Sequence, residues 1–210
     1  MSKTPNPWTT IPAADYEGHM NSPSVNQLSF ICDCFRDALS AHTPTDVAVI
    51  GCGTGNGLAH IDPAMTKRTT VIDINTGFLE VLRSRYADKI SGLDVRCEDL
   101  VECDLPQNSY QLVFAGLVFE FLDADALLNK VSGWLAKGGA LKVILQLPNE
   151  ALPTVSNSGY DSLRRINPIA NLVDVPKFCH TCQKLNLEQV ESNTVTLPSG
   201  KSFFVGTFKK

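Results

Sequence analysis

Glycine occupies every second position from Gly51 to Gly57, directly behind the short apolar run Val47-Ala48-Val49-Ile50. Glycine adopts positive φ without strain and lets another group approach the backbone closely. Such a run behind a buried strand makes either a tight turn or a cradle for a ligand. It is expected to open a helix whose free N–H groups suit a carboxylate or phosphate. Gly51, Gly53, Gly55 and Gly57 exceed what a turn alone requires, which favours a nucleotide-type cofactor loop. The dinucleotide fingerprint Gly-x-Gly-x-x-Gly does not fit. Counted from Gly51, its third glycine would fall on Asn56; counted from Gly53, on Leu58.

The loop begins a repeating pattern. A β-rich run Thr70–Ile74 is followed by a helical stretch with Phe78, Leu79, Val81, Leu82 and Tyr86 on one side. A weaker strand runs from Leu93 to Cys97 and a fourth from Tyr110 to Ala115. Asp123 can cap a helix carrying Leu127, Leu128, Val131, Trp134 and Leu135, and Gly138-Gly139 is expected to end it in a left-handed cap. Leu141–Leu147 is a fifth strand. Short, continuously apolar strands alternating with helices predict a parallel sheet covered on both faces. Leu187–Leu197 and Ser202–Phe208, around the turn Pro198-Ser199-Gly200, predict a closing antiparallel hairpin.

The whole chain, 1–210, reads as one domain of four parts: an N-terminal arm and helix over 1–43 forming a lid, a core over 44–147, an insertion over 148–176, and a helix with the hairpin over 177–210. The Pro-rich start, with Trp8, Tyr16 and His19, is expected to be extended. Ser22-Pro23 should then cap and start a helix with Val25, Leu28, Ile31 and Phe35 on one face.

A net charge of −4 argues against extensive nucleic-acid binding, which needs a surplus of Lys and Arg on one face. The first residues, Met-Ser-Lys-Thr-Pro-Asn-Pro-Trp, lack the apolar core of a secretory signal, and Leu112–Phe119 falls far short of the ~20 residues that span a bilayer. A soluble, cytoplasmic protein with reduced thiols is expected, and no metal: Cys179-His180-Thr181-Cys182 lacks two further ligands at the usual spacing.

The alternating glycines resemble class I S-adenosylmethionine-dependent methyltransferases, and the likeness extends from 44 to 147. The resemblance implies a Rossmann-like doubly wound seven-stranded sheet, mostly parallel, with a C-terminal antiparallel hairpin strand. It implies S-adenosylmethionine as cofactor, held by Gly51, Cys52, Gly53, Gly55 and Asn56 of the loop and by Ala115 and Gly116 at the end of strand four. Asp73, with Ile74 beside it, would take the ribose hydroxyls, since a carboxylate can accept from both. Glu98-Asp99-Leu100 resembles the segment that meets adenine, giving Asp99 and Leu100 that role, with Asp104 as a competitor. Two departures stand out. Val49 replaces the family's acidic residue two positions before the first glycine, and Tyr110-Gln111 replaces its Phe-Asp.

Methyl transfer from a sulfonium needs a positioned nucleophile, and a hydroxyl or ammonium acceptor needs a base. The candidate catalytic residues are His19, Tyr16 and Glu120, and the candidate substrate residues are Gln146 and Tyr160. The expected partner is a small-molecule methyl acceptor bound between the arm and the insertion. Two other readings stay open: an NAD-dependent oxidoreductase on a similar sheet, and a non-catalytic module that keeps the fold.

Overall fold

The computed structural model describes residues 6–210, so the first five residues of the N-terminal lid lie outside the described chain. Seven strands form one sheet: β1 (Asp46–Ile50), β2 (Arg68–Asp73), β3 (Leu93–Cys97), β4 (Tyr110–Gly116), β5 (Leu135–Gln146), β6 (Glu188–Thr196) and β7 (Ser202–Lys209). Their order is β3-β2-β1-β4-β5-β7-β6, parallel through β5 and antiparallel for β7 and β6. The doubly wound sheet and its final hairpin are those expected.

Alternation along the strands builds two cores. Val47 and Val49 face one side with α2 (Leu28–His42) and α3 (Thr76–Tyr86); Ala48 and Ile50 face the other with α4 (Ala124–Trp134) and α5 (Val175–Lys184). Asn75, Asp123 and Asp174 cap α3, α4 and α5 by accepting a backbone N–H three residues on. Among the described residues no helix is long and apolar enough to cross a membrane. All seven cysteines are unbridged.

Four local expectations are corrected. The N-terminal arm is not extended: Pro7–Thr10 is a 3-10 turn and Ala13–Asn21 is a helix, α1, burying Tyr16, His19 and Met20 on one face. Gly18 suits that helix because a Cβ there would lie 2.2 Å from the Tyr160 ring. Ser22-Pro23 does not begin α2; Ser22 closes α1, its N–H bonded to the His19 carbonyl, and α2 starts at Leu28 behind Gln27.

The glycine loop does not open an α-helix. Gly55 (φ 94°) and Gly57 (φ 82°) hold the chain left-handed, and only the 3-10 turn Leu58–His60 follows. The space is already taken. A Cβ on Gly57 would lie 2.9 Å from Phe35 of α2, and one on Gly55 would lie 2.7 Å from Tyr86 of α3. Finally, α4 ends at Trp134, not at the glycines. Leu135 already pairs with Tyr110, and the register jumps to Leu112 opposite Ala140. Gly138 (φ 77°) lies within the residues that jump leaves out, and its N–H donates to the Lys210 carbonyl at 2.9 Å.

Candidate active site

The carboxyl ends of β1, β2, β4 and β5 open into one cavity of about 1360 Å³, mouth included, closed from above by α1 and by the 3-10 segment Asp161–Ile169. Ligands bind at this edge in open parallel sheets because chain reversal on either side of β1 leaves a crevice there. Gly51, Cys52, Gly53, Asn56, Asp73, Ile74, Asp99, Leu100 and Gly116 all line it. Two of the cofactor candidates do not: Gly55 faces the Tyr86 ring, and Ala115 is fully buried within β4. Asp104 is outside as well, its Oδ1 accepting from Trp134 Nε1 at 3.3 Å, so of these two it is Asp99 that lines the cavity.

Asp73 ends β2 and is bonded at both oxygens. Oδ2 accepts from Gly53 N at 2.8 Å and Oδ1 from Asn75 N at 2.9 Å. Burial pushes its carboxyl up and these N–H groups pull it back. With a contribution from the Ile74 N–H as well, the carboxylate keeps acceptor capacity for a further donor. Asp99 likewise spends Oδ1 on Val101 N at 2.9 Å, leaving Oδ2 with capacity.

α1 folds down over the glycines. Tyr16 packs on Phe78 with ring centroids 4.7 Å apart, and its hydroxyl accepts from Asn56 Nδ2 at 2.6 Å. Burial, with Asp73 nearby, raises the Tyr16 phenol well above its ordinary value, so it stays neutral. A Cβ on Gly53 would lie 2.8 Å from that hydroxyl oxygen, which is why the loop needs glycine there. The next residue fastens the helix: Glu17 accepts from Thr54 Oγ1 at 2.6 Å and pairs with Arg85 of α3.

Glu120 sits in a 3-10 turn, Phe119–Phe121, just after β4. It is 4% exposed; Oε1 accepts from Gln146 N at 2.8 Å, and Oε2 is buried with no partner among the described residues. Burial pushes the carboxyl up to about 7. His19 Nδ1 lies 2.6 Å from Ser158 Oγ of the insertion, and burial, helped by the Lys201 charge, lowers it to about 4. Gln146 and His19 line the cavity with Glu120. Tyr160 does not: it is exposed, and its ring covers Gly18 from outside.

The sequence reading missed Lys201. It precedes β7, is 3% exposed, lines the cavity, and donates to Thr154 O at 2.6 Å and Gln146 Oε1 at 3.3 Å. It follows the hairpin turn, where a lysine reads as solvated surface, so nothing in the local pattern marks it.

The two departures at β1 and β4 have structural accounts. Val49 is an apolar wall residue, 3% exposed. Gln111 Oε1 accepts from Thr45 N at 2.6 Å, joining β4 to the start of β1, while Tyr110 and Thr70 share a hydroxyl contact of 3.0 Å. Among the described residues no three His, Cys, Asp or Glu side chains could hold a metal ion together.

Residues 48–143 match a family described as a methyltransferase domain. No curated protein matches the chain in sequence. Solved structures share the fold at low identity. The N-methyltransferase NodS from Bradyrhizobium japonicum WM9, in complex with S-adenosyl-L-homocysteine, is 17% identical over 88% of this chain and 87% of its own, with a TM-score of 0.65. The geranyl diphosphate C-methyltransferase of Streptomyces coelicolor is 11% identical over 84% of this chain and 77% of its own, TM-score 0.65. The cyclase SpnF is 13% identical over 84% and 79%, also at 0.65. The chain thus matches a methyltransferase-domain family over 48–143 and shares the fold of solved methyltransferases.

Proposed function

We propose that this methyltransferase domain binds S-adenosylmethionine against the Gly51–Gly53 loop and transfers its methyl group to an oxygen or nitrogen of a small-molecule acceptor in the same cavity. The observation that carries this reading is the cavity's division. One end holds the glycine loop, Asp73, Ile74, Asp99 and Leu100; the other sets Glu120, Gln146, His19 and Lys201 among apolar side chains.

The residues present suit that cofactor. The spare acceptor capacity of Asp73 matches a ribose diol, and Asp99 with the Leu100 backbone matches the polar edge of adenine beside an apolar side chain. When bound, the cofactor supplies an activated methyl group, which leaves the protein to orient the acceptor and exclude water.

Of the three catalytic candidates, Glu120 is the base. Its carboxyl titrates near neutrality and its Oε2 is free to take a proton from a hydroxyl or ammonium. His19, held by Ser158 and already neutral, orients the acceptor, and Tyr16 covers the loop. Gln146 holds Glu120 through its backbone N–H while its side chain faces the acceptor end.

Calorimetric titration with S-adenosylmethionine, S-adenosylhomocysteine and NAD tests the cofactor. Binding of NAD with no binding of the other two would replace this reading with an oxidoreductase. Binding of S-adenosylmethionine with no methyl transfer from a labelled donor into a broad metabolite extract would favour the non-catalytic module. Asp73→Ala should weaken S-adenosylhomocysteine at least about tenfold, since it removes a charged acceptor and frees the Gly53 N–H it orients.

A further inference from the structure

We propose that the acceptor carries a carboxylate, and that Lys201 binds it at the end of the cavity opposite the glycine loop. The inference rests on the methyltransferase reading for the word acceptor, but the anion site stands on its own geometry.

Lys201 is the only Lys or Arg among the described residues lining the cavity, and it is buried at 3% exposure. An ammonium removed from water is costly unless a counter-charge compensates it. None does. Its two partners, the Thr154 carbonyl and Gln146 Oε1, are neutral oxygens, and no carboxylate of the described residues lies within ion-pair distance. Burial alone lowers its pKa to about 8, so it remains mostly protonated at neutral pH. An ammonium has three donors and two are used, leaving one for a ligand on the cavity surface.

The neighbours define what that ligand is. Gln146 joins Lys201 to Glu120: its side chain accepts from one, and its backbone N–H donates to the other. An acceptor anchored on Lys201 therefore has Glu120 within its reach, which is what deprotonating a nucleophile elsewhere on the same molecule requires. His19 adds no second charge, being neutral at pH 7. The remaining charged wall residues, Asp73, Glu98, Asp99 and Glu120, are acidic and would repel an anion placed elsewhere. One cation balances a monoanion and leaves the second charge of a phosphate ester uncompensated. Ile31, Phe114, Leu163 and Ile166 supply an apolar surface for the rest of the molecule. The class is thus a monocarboxylic acid with an apolar body and a hydroxyl or amine to be methylated.

The test uses the full chain with and without saturating S-adenosylhomocysteine. Phenylacetate, cinnamate and octanoate are titrated beside their primary amides and beside octyl phosphate, followed by calorimetry. At least one carboxylate should bind at least about tenfold more tightly than its own amide and than octyl phosphate. Lys201→Met should abolish that preference while leaving the amide and S-adenosylhomocysteine affinities unchanged. A lysine that merely pins Thr154 would change stability without affecting this preference. Lys201→Gln, which keeps a donor for Thr154, distinguishes a folding defect: it too should lose the preference. Equal binding of acid and amide, tighter binding of the phosphate, no binding by any probe, or a preference that survives in both variants would overturn the proposal. S-adenosylhomocysteine binding is read separately, so failure of the cofactor reading and failure of the anion site give different results.

Discussion

Glu120→Gln should flatten the pH dependence of stability between about 4.5 and 7. The carboxyl is 4% exposed, and burial moves its pKa from the ordinary 4.5 to about 7. Over that interval the native protein keeps a proton that the unfolded chain has released. Stability changes with pH in proportion to protons bound by the unfolded state minus those bound by the native state, a negative difference here. Glu120 therefore costs nothing below 4.5, costs progressively more as pH rises to 7, and reaches a plateau above. The plateau is about 3 kcal/mol, from roughly 1.4 kcal/mol for each pH unit between the two values. Glutamine keeps an oxygen to accept from Gln146 N but places an unpaired amide where Oε2 was, at a cost of about 1–3 kcal/mol at every pH. The informative quantity is thus the difference between the two proteins as a function of pH. Urea unfolding at pH 5 and pH 8 should show the variant gaining on the wild type by about 2.5 kcal/mol, since part of the cost is already present at pH 5. Parallel pH profiles would refute the elevated carboxyl, and with it Glu120 as a base poised near neutrality.

His19→Gln should act in the opposite direction. The native imidazole titrates near 4 and the unfolded one near 6.5, so the wild type loses stability as pH falls across that window. Removing the group should spare up to about 3 kcal/mol at pH 4 and little at pH 7.5, read by the same unfolding assay. Tyr16→Phe keeps the packing on Phe78 and removes the bond from Asn56, so a loss of about 1 kcal/mol is expected in thermal unfolding. No loss would mean that the α1 cap does not depend on that contact. Gly92→Ala should cost about 2 kcal/mol or more, because φ is 73° and the new Cβ would lie 2.1 Å from the Lys67 carbonyl oxygen. An unchanged melting temperature would rule out that turn geometry.

What could be read from the sequence was whatever depends on period and on local chemistry. Continuous apolar runs, with a capping residue at Asp123, mark the strands and helices of the core, and the Pro198-Ser199-Gly200 turn marks the hairpin. What could not be read depends on residues far apart in the chain. α1 looks like an arm because Pro12 and Gly18 lower its helix propensity; the helix exists because Tyr16 packs on Phe78 and Tyr160 packs on Gly18. Its own signal, Ala13, Tyr16 and Met20 at helical spacing, is real but weak. The helix expected behind the glycine loop is absent because α2 and α3 fill that space with Phe35 and Tyr86, which only the fold brings there. Gly138 shows the same ambiguity in another form. A left-handed glycine serves a helix cap or a strand irregularity equally well, and the pairing of Leu135 with Tyr110 decides between them.

Val49 shows how these long-range contacts bear on function. A carboxylate there would enter a wall already holding Asp73, Glu98, Asp99 and Glu120, whose only lining cation among the described residues, Lys201, is committed to the far end among Gln146 and Thr154. Burial alone holds the carboxyls of Asp73 and Glu120 above their ordinary values, and a further buried acid would raise them again. With valine the wall avoids that repulsion. Polar contact at the loop comes from α1 instead: Tyr16 to Asn56 inside the cavity, and Glu17 to Thr54 behind it. The Asn56 amide, with one of its two hydrogens on Tyr16, keeps a neutral donor at this end, where a carboxylate would have offered only acceptors. The apolar residue at 49 and the helical cap at 13–21 thus meet at one loop, which the cap holds through Tyr16 on Asn56 and Glu17 on Thr54.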